Sequence, residues 1–529
     1  MKPVFLLIAA LFVGHIKRVY AQSDVSVKYA ATITAEELKQ HLMFIASDSC
    51  QGRETGTIGQ VRAQEYIQNE FGNCGLQAPV NGSFLQQVDL SREDFLQSKI
   101  VLGDTAFNFI QDFYFFWLEN RNSSVFADNV FLGYGINHDA YSDYQKAEVE
   151  GKAVWILSGE PKNSKGNYIL SGNDENSDWA EDISIKYDEA VRNGASALVV
   201  VNMDYRMYIS RVRNYLQKPG LKLNINRDLG ETGKGEIPLL YVSPMMANYM
   251  LYGEANKWGS VNDIAAFIAK KEKPVSFEFN LGWTFTPMVK GESLNSPNIL
   301  GYLEGTDKKD ELLVITAHYD HVGMNGKDIF NGADDDGSGT VTVLELAEAF
   351  SLAAREGNRP RRSILFMTVT GEEKGLLGSE WYTEYPIFPL EKTIANLNID
   401  MIGRVDEKHG DNERYIYLIG SDKLSTELHA ISEKANATYA GLELDYTYND
   451  PNDPNRFYYR SDHYNFAKNN IPVIFYFSGV HEDYHKPTDT PEKIRYPKMA
   501  EIGKLIFHTA WELANRDERI AVDVENEFK

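Results

Sequence analysis

Cysteine is almost absent from this chain of 529 residues, which contains only Cys50 and Cys74. In an exported protein the two thiols could form one disulfide that closes a short loop. Two unpaired buried thiols fit the sequence equally well. No cysteine follows the N-terminal apolar run, and a bacterial lipoprotein is therefore not expected.

Positive charge is also scarce: the chain has 53 Lys and Arg residues but 76 Asp and Glu residues, which gives a formal net charge of −23. Nucleic acids and anionic membrane surfaces are polyanions, and this balance disfavours both as partners. Hydrophobic residues make up 43% of the chain and aromatic residues 12%, which is enough for ordinary packed cores. The length predicts two or three domains in a globular protein.

The N-terminus lacks an apolar run long enough to span a bilayer, since residues 4–13 form only a short one. Together with Lys2 and the small-x-small site that ends at Ala21, this run predicts a signal peptide at residues 1–21. We therefore expect an exported protein, periplasmic or secreted, without stable membrane insertion after cleavage. Lys17 and Arg18 follow the run at an unusual place, which leaves an uncleaved anchor as the alternative.

Three common functional motifs are missing. Gly337-Ser338-Gly339 lacks the frame of a serine hydrolase elbow, and Gly233-Lys234-Gly235 lacks the first glycine and the Ser or Thr of a phosphate-binding loop. The acidic run around Asp335 does not fit a calcium loop, because its register would place Val343 at the twelfth position.

From Ser296 onward, near-continuous apolar runs alternate with helical patterns. This alternation predicts an α/β fold with a doubly wound, mostly parallel sheet that is covered on both faces. The predicted strands are residues 312–317, 364–369, 394–399 and 473–477. Residues 119–273 have a different sequence pattern, with short β runs and polar loops. This pattern predicts a smaller β-rich α/β domain inserted into a main domain of residues 22–118 and 274–529.

Metal-type ligands follow the ends of the predicted strands. His318, Glu373, Asp400 and His485 each come after one of the four strands, while Asp335 lies in the loop that opens the next helix. Ligands of open α/β sheets bind at the carboxyl ends of the strands, and these side chains should therefore converge. Any one of them alone would be a core histidine or a solvated acid, but their joint placement favours a metal site.

Imidazole nitrogens and carboxylate oxygens are the ligands that zinc prefers, and a carboxylate can bridge two ions. Asp335 is the candidate bridge. We predict two Zn²⁺ per chain, with His318 and Asp400 completing one site and Glu373 and His485 the other. The adjacent Glu372 would then be the general base, and Asp320 would orient the imidazole of His318.

These segments of the chain resemble the co-catalytic dizinc aminopeptidases and carboxypeptidases of metallopeptidase clan MH. The resemblance is carried by Ala-His-Tyr-Asp-His at 317–321, Gly-Ala-Asp-Asp-Asp-Gly-Ser-Gly at 332–339, Gly-Glu-Glu at 371–373, Asn-Ile-Asp-Met-Ile-Gly at 398–403, and Tyr-His at 484–485 followed by Asp-Thr at 489–490. The segment from about 119 to 273 looks like the protease-associated domain that many of these enzymes carry.

The resemblance implies a zinc exopeptidase-like fold, the same five zinc ligands, Glu372 as catalytic base and Tyr484 as a donor to the oxyanion. It implies peptide substrates and an aminopeptidase reaction. Glutaminyl cyclases share the fold, as do non-catalytic relatives of the transferrin receptor type, and both remain alternative functions. The sequence leaves carboxypeptidase or dipeptidase action, side-chain preference and oligomeric state open.

Overall fold

The computed structural model describes residues 25–116, 122–225, 237–251 and 258–528. The predicted signal segment at 1–21 lies outside these residues. The chain divides into two compact units: unit 1 comprises Met1–Leu90, Lys222–Ile225 and Ser293–Lys529, and unit 2 comprises Ser91–Leu221 and Asn226–Glu292.

Unit 1 is built on an eight-stranded mixed sheet. In spatial order its strands are Leu85–Gln86, Asn298–Leu303, Arg362–Val369, Lys308–His318, Thr393–Ile399, Val473–Phe477, Tyr415–Ile419 and Glu443–Asp445. The four central strands are those predicted from the sequence, and they run parallel to one another. Antiparallel partners flank them on both sides.

Both faces of this sheet are covered, which explains the near-continuous apolar strands. Leu313 and Ile315 belong to one buried apolar cluster, whereas Leu312 and Val314 point to a second cluster on the opposite face. The predicted α/β class is therefore confirmed, with a mixed sheet whose centre is parallel. The helices of unit 1 are Ala35–Ile45, Ile58–Asn73, Gly339–Arg355, Leu377–Glu384, Thr426–Ala435, His463–Lys468 and Tyr496–Asn515.

Short helical turns and one small hairpin connect these elements. The turns are Asp48–Arg53, Ala333–Ser338, Glu372–Lys374, Leu390–Lys392, Asn436–Ala440, Thr447–Asn449, Phe457–Tyr459 and Pro491–Lys493, and the hairpin pairs Gly323–Asn325 with Asp328–Phe330. The helix Ala35–Ile45 begins after Thr34, whose Oγ1 atom accepts the backbone N–H of Glu37 at 3.2 Å and satisfies a free helix-end donor.

Unit 2 has a separate eight-stranded sheet and its own apolar core. Its strands are, in spatial order, Thr105–Asn108, Lys99–Leu102, Ser276–Thr286, Ser124–Leu132, Ala153–Leu157, Ala197–Val201, Leu239–Val242 and Phe113–Tyr114. In the core the indoles of Trp155 and Trp283 both donate to Oδ1 of Asn129, at 3.2 and 2.8 Å. The helices of unit 2 are Asp178–Glu181, Ile183–Arg192, Tyr205–Gln217, Pro244–Met250 and Val261–Lys271.

Two smaller sheets complete the described strands. One consists of Gly220–Leu223, Asp89–Asp94 and Lys290–Asn295, and the other pairs Asn137–His138 with Tyr141–Ser142. Among the described residues, no helix combines the length and the apolar character that crossing a bilayer requires.

The bounds of unit 2 differ from the predicted 119–273. The strands Lys99–Leu102 and Ser276–Thr286 lie outside that range, yet they pair with each other in the sheet of unit 2. Since Ser276–Thr286 also pairs with Ser124–Leu132, long-range pairing rather than local composition sets the bounds. Both Cys50 and Cys74 are free thiols, as in the second of the two alternatives, but only Cys50 is fully buried.

Candidate metal centre

The structure brings all five predicted ligands together at the carboxyl ends of the central strands of unit 1. His318 is the last residue of its strand, and Asp400 directly follows Thr393–Ile399. Glu373 lies in the turn Glu372–Lys374, and Asp335 lies in the turn Ala333–Ser338. His485 has a left-handed backbone with φ of 53°, which is uncommon for a non-glycine residue and typical of functional loops.

The two carboxylate oxygens of Asp335 face two different groups of ligand atoms. On one side, Oδ1 of Asp335 lies 3.3 Å from Nε2 of His318, which is 3.7 Å from Oδ1 of Asp400. On the other side, Oδ2 of Asp335 lies 3.0 Å from Nε2 of His485, which is 3.1 Å from Oε2 of Glu373. Ligands around a tetrahedral zinc with bonds of about 2.0–2.1 Å would lie roughly 3.3 Å apart. Both groups have that spacing.

Several of these atoms are buried without a hydrogen-bond partner, which is rare in a folded protein and calls for an ion or another ligand. They are Nε2 of His318, Oδ2 of Asp335, Oε1 of Glu373 and Nε2 of His485. Unpaired imidazole nitrogens and carboxylate oxygens that converge on a point fit the donor set of zinc. The residues present therefore fit a metal centre.

The charges in the centre are strongly coupled. Burial opposes the charge on His318, but the carboxylates of Glu372, Asp335 and Asp400 outweigh it and raise the pKa of the imidazole well above its usual value. Burial also opposes the charge on Asp335, but His318 and His485 hold the pKa of this carboxyl well below its usual range. Attraction between imidazole and carboxylate thus holds the ligands close together.

His318 is oriented by a backbone group rather than by the predicted carboxylate. Its Nδ1 donates to the backbone carbonyl of Asp320 at 3.1 Å, whereas Oδ1 of Asp320 is 3.9 Å away. In this structure the Asp320 carboxylate, which the sequence predicts to orient His318, is the more distant of the two acceptors. That carboxylate instead accepts the backbone N–H of Glu372 at 3.1 Å and the hydroxyl of Thr55 at 2.9 Å. Because Nδ1 of His318 donates to a carbonyl, Nε2 is the nitrogen that a metal would bind in place of its proton.

Glu372 is placed beside the first group of ligands. Its Oε2 atom lies 3.8 Å from Nε2 of His318, and burial raises the pKa of its carboxyl well above the usual value. A carboxyl group whose pKa is raised towards neutral pH can act as a general base for a neighbouring water. Tyr484 stacks on His485 with ring centroids 3.9 Å apart, and burial among carboxylates raises the pKa of its hydroxyl, which remains a donor.

Asp489, from the Asp-Thr segment, fixes the loop that carries Asp335. Its carboxylate accepts the backbone N–H of Asp334 at 3.0 Å and that of Asp335 at 3.3 Å. Asp336 accepts the backbone N–H of His318 at 3.1 Å, which ties the loop to the end of the strand. The hydroxyl of Ser461 donates to Oδ2 of Asp400 at 2.7 Å and leaves its Oδ1 for the metal.

Arg53 connects segments of unit 1 around the centre, a role that the sequence did not indicate. Its guanidinium is fully buried and donates to the carbonyls of Tyr319, Ile45, Asn331 and Gly332 at 2.9, 2.9, 2.6 and 2.8 Å. Arg53 thereby connects the end of the helix Ala35–Ile45 with the segment between the strand of His318 and the turn Ala333–Ser338. An arginine in a glycine-punctuated loop was the available signal, but three of its four partners are more than 260 residues away in sequence.

His321 is a second residue that was not assigned. Its Nδ1 lies 2.8 Å from Oε1 of Glu373 and 3.8 Å from Oδ2 of Asp335. The three residues form one of two groups of potential metal ligands, and His318, Asp335 and Asp400 form the other. The signal in the sequence was a histidine three positions after His318.

Part of the chain is similar in sequence to known peptidases. Residues 298–510 match the sequence model of Peptidase family M28. A probable leucine aminopeptidase of Arthroderma otae is 32% identical over 225 residues, which are 41% of this chain and 58% of that protein. Aminopeptidase YwaD of Bacillus subtilis is 27% identical over 232 residues, which are 42% of this chain and 46% of that protein. The chain thus spans about half the length of these relatives.

One solved structure resembles the fold over nearly the whole chain. The aminopeptidase from Aneurinibacillus sp. strain AM-1 superposes with a TM-score of 0.51 at 18% sequence identity, covering 94% of this chain and 98% of that one. At this identity the likeness establishes a common fold.

Proposed function

We propose that the protein is a zinc-dependent aminopeptidase of family M28 that hydrolyses the N-terminal bond of peptides, because residues 298–510 match the sequence model of Peptidase family M28. The observation that carries the proposal is the position of Asp335, whose two carboxylate oxygens face two separate groups of ligand atoms at 3.3 and 3.0 Å. A shared carboxylate of this kind is what a two-ion hydrolase needs.

We propose two zinc ions per chain. His318, Asp335 and Asp400 would hold the first, and Asp335, Glu373 and His485 the second. When bound, such a pair supplies a water of lowered pKa and polarises the scissile carbonyl. The unpaired buried nitrogen and oxygen atoms of these residues support the assignment.

The side chains around the metal positions would move and hold protons. Glu372 takes the proton of the attacking water, and the same carboxyl returns it to the departing amine as the C–N bond breaks. The hydroxyl of Tyr484 donates to the oxyanion of the tetrahedral intermediate. Carboxylates of the centre would also hold the free α-amino group of the substrate, which limits cleavage to the first residue.

The test replaces Glu372 by Gln and assays a panel of chromogenic aminoacyl substrates, with Glu384→Gln as the control because Glu384 is exposed on the next helix. We expect Glu372→Gln to keep its zinc and to lose activity by about 10²–10⁴-fold, the usual contribution of a general base. Near-normal turnover by Glu372→Gln would refute the assignment.

The same panel separates the alternative functions. An N-acetylated substrate should be inert, because it lacks the free amine, and a peptide with N-terminal glutamine should be hydrolysed rather than cyclised. Release of ammonia from that peptide without hydrolysis would identify a glutaminyl cyclase. Absence of any turnover by a protein loaded with zinc would favour a non-catalytic binding protein.

Unit 2 is proposed to be a protease-associated domain that selects substrates. The Gly133-Tyr134-Gly135 turn and the separate sheet and core of unit 2 support this identity. To test the role, the polar loop 163–175 is replaced by a short Gly-Ser linker. We expect a changed KM for long peptides and an unchanged KM for aminoacyl anilides, and equal changes for both would reject substrate selection.

Export is likewise a proposal, and it rests on the pattern of residues 1–21. Expression of the full chain with a C-terminal tag, followed by mass spectrometry of the mature protein, should find an N-terminus at Gln22 in the exported fraction. A protein that keeps residues 1–21 and stays in the cytoplasm would contradict it.

A further inference from the structure

His321 lies in the turn after the strand Lys308–His318 and is completely buried. The proposed dizinc mechanism gives it no role, although it contacts two of the proposed ligands. We propose that His321 is an additional ligand of the second metal position, through its Nδ1 atom. This inference rests on the proposed function, since it concerns one of the two metal positions proposed there.

The geometry favours coordination over an ordinary hydrogen bond. Nδ1 of His321 and Oε1 of Glu373 are only 2.8 Å apart, yet both atoms are buried and neither has a hydrogen-bond partner. The N–H direction of the ring therefore does not point at the carboxylate oxygen. Two ligands of the same cation also lie close together without forming a hydrogen bond to each other, and the two atoms have this arrangement.

The distances to the other ligands agree with this arrangement. Nδ1 of His321 lies 3.8 Å from Oδ2 of Asp335, the same oxygen that faces His485 at 3.0 Å. The rings of His321 and His485 are 5.7 Å apart at an interplanar angle of 71°. Two imidazoles at a steep angle can thus approach the pair of Asp335 and Glu373 from different directions.

The surroundings fix the imidazole of His321 in this position. Gly332 has φ of 57°, and a Cβ atom there would lie 2.5 Å from both Cγ and Cδ2 of His321, so only glycine leaves room for the ring. The backbone N–H of His321 donates to the carbonyl of Arg53 at 3.2 Å. The guanidinium of Arg53 donates in turn to the carbonyl of Gly332 at 2.8 Å.

The consequence is a difference between the two metal positions. The second would have four protein ligands, namely Asp335, Glu373, His485 and His321, and approaches the closed set of a structural zinc site. The first would have three and keeps an open place next to Glu372, as a catalytic site requires. The second ion should therefore bind more tightly than the first.

The experiment titrates zinc into the metal-free full chain in competition with a chromogenic chelator. It compares the wild type with His321→Ala and His321→Asn, and uses His138→Ala in unit 2 as the control because His138 is exposed. Asparagine can place an amide close to the position of Nδ1 and can hydrogen-bond to Glu373, but it is a poor zinc ligand. Circular dichroism of the metal-free variants checks that they fold.

We expect both His321 variants to bind the tighter zinc at least about 100-fold more weakly, the upper end of what loss of a supporting partner costs. The affinity for the other zinc should be unchanged, and His138→Ala should match the wild type. Wild-type affinity in His321→Asn would overturn the proposal, since a hydrogen bond would then be sufficient. Wild-type affinity in both variants would overturn it as well.

X-ray absorption of the wild type loaded with zinc gives a second reading that needs no variant. Three imidazoles per pair of ions are expected, and two would contradict the coordination by His321. Failure of the proposed function looks different, because the wild type itself would then bind fewer than two zinc ions.

Discussion

Replacement of Arg53 by methionine should destabilise residues 319–332 of unit 1, and it should lower the free energy of unfolding more than the same replacement of an exposed arginine. The guanidinium donates four hydrogen bonds to backbone carbonyls, and it is fully buried. Methionine has a similar length but no donor, and it would leave these buried carbonyls without a partner.

The expected magnitude follows from these contacts. A hydrogen bond from a charged donor contributes about 1.5–3 kcal/mol, and four of them would sum to about 6–12 kcal/mol if they were additive. The four hydrogen bonds share one side chain and are not additive. Burial of the charge on Arg53 is itself unfavourable, as the lowered pKa of the guanidinium shows, and the substitution removes this cost. We therefore expect a loss of about 3–5 kcal/mol, the usual cost of breaking a buried charged contact.

The assay is denaturant unfolding of the zinc-free protein, with hydrogen exchange of the amides in residues 319–332 as the local readout. Arg53→Lys keeps the charge but has no planar fork of donors, and it should give an intermediate loss. Arg62→Met is the matched control, because Arg62 is exposed on the following helix, and it should change stability by less than about 0.5 kcal/mol. A loss below about 1 kcal/mol for Arg53→Met, with unchanged exchange, would refute this role of Arg53.

Two further predictions concern Asp320 and His463. Asp320→Asn should lower kcat by roughly 10-fold and leave the zinc content unchanged, because a backbone carbonyl orients His318. Loss of one zinc ion from this variant would instead support orientation by the carboxylate. Burial lowers the pKa of His463 from 6.5 to about 3, so the unfolded chain gains the proton first and stability falls as pH drops below 6.5. Between neutral pH and pH 5 the wild type should lose about 2 kcal/mol relative to His463→Leu, and parallel pH profiles would contradict this.

The sequence predicted the centre of the fold well, because burial on both faces leaves a strong local signal. The four parallel strands at the centre of the sheet consist largely of apolar residues, and four of the five ligands lie at a strand end or in the loop that follows it. Once those strands are assigned, the side of the sheet that carries the site follows from general rules.

Contacts between distant segments could not be predicted in the same way. The role of Asp320 depends on a difference of less than 1 Å between two acceptors of the same residue, 3.1 Å for its carbonyl and 3.9 Å for its carboxylate. Arg53 and His321 act through partners that only the folded loops bring near. The bounds of unit 2 depend on which sheet the strand Ser276–Thr286 joins, which its composition does not specify.

Anomalous X-ray scattering at the zinc edge, from crystals of the full chain loaded with zinc, would locate the metal ions directly. Two zinc peaks about 3.5–4 Å apart are expected, one next to each carboxylate oxygen of Asp335. A single peak, or two peaks that do not share Asp335, would contradict this expectation.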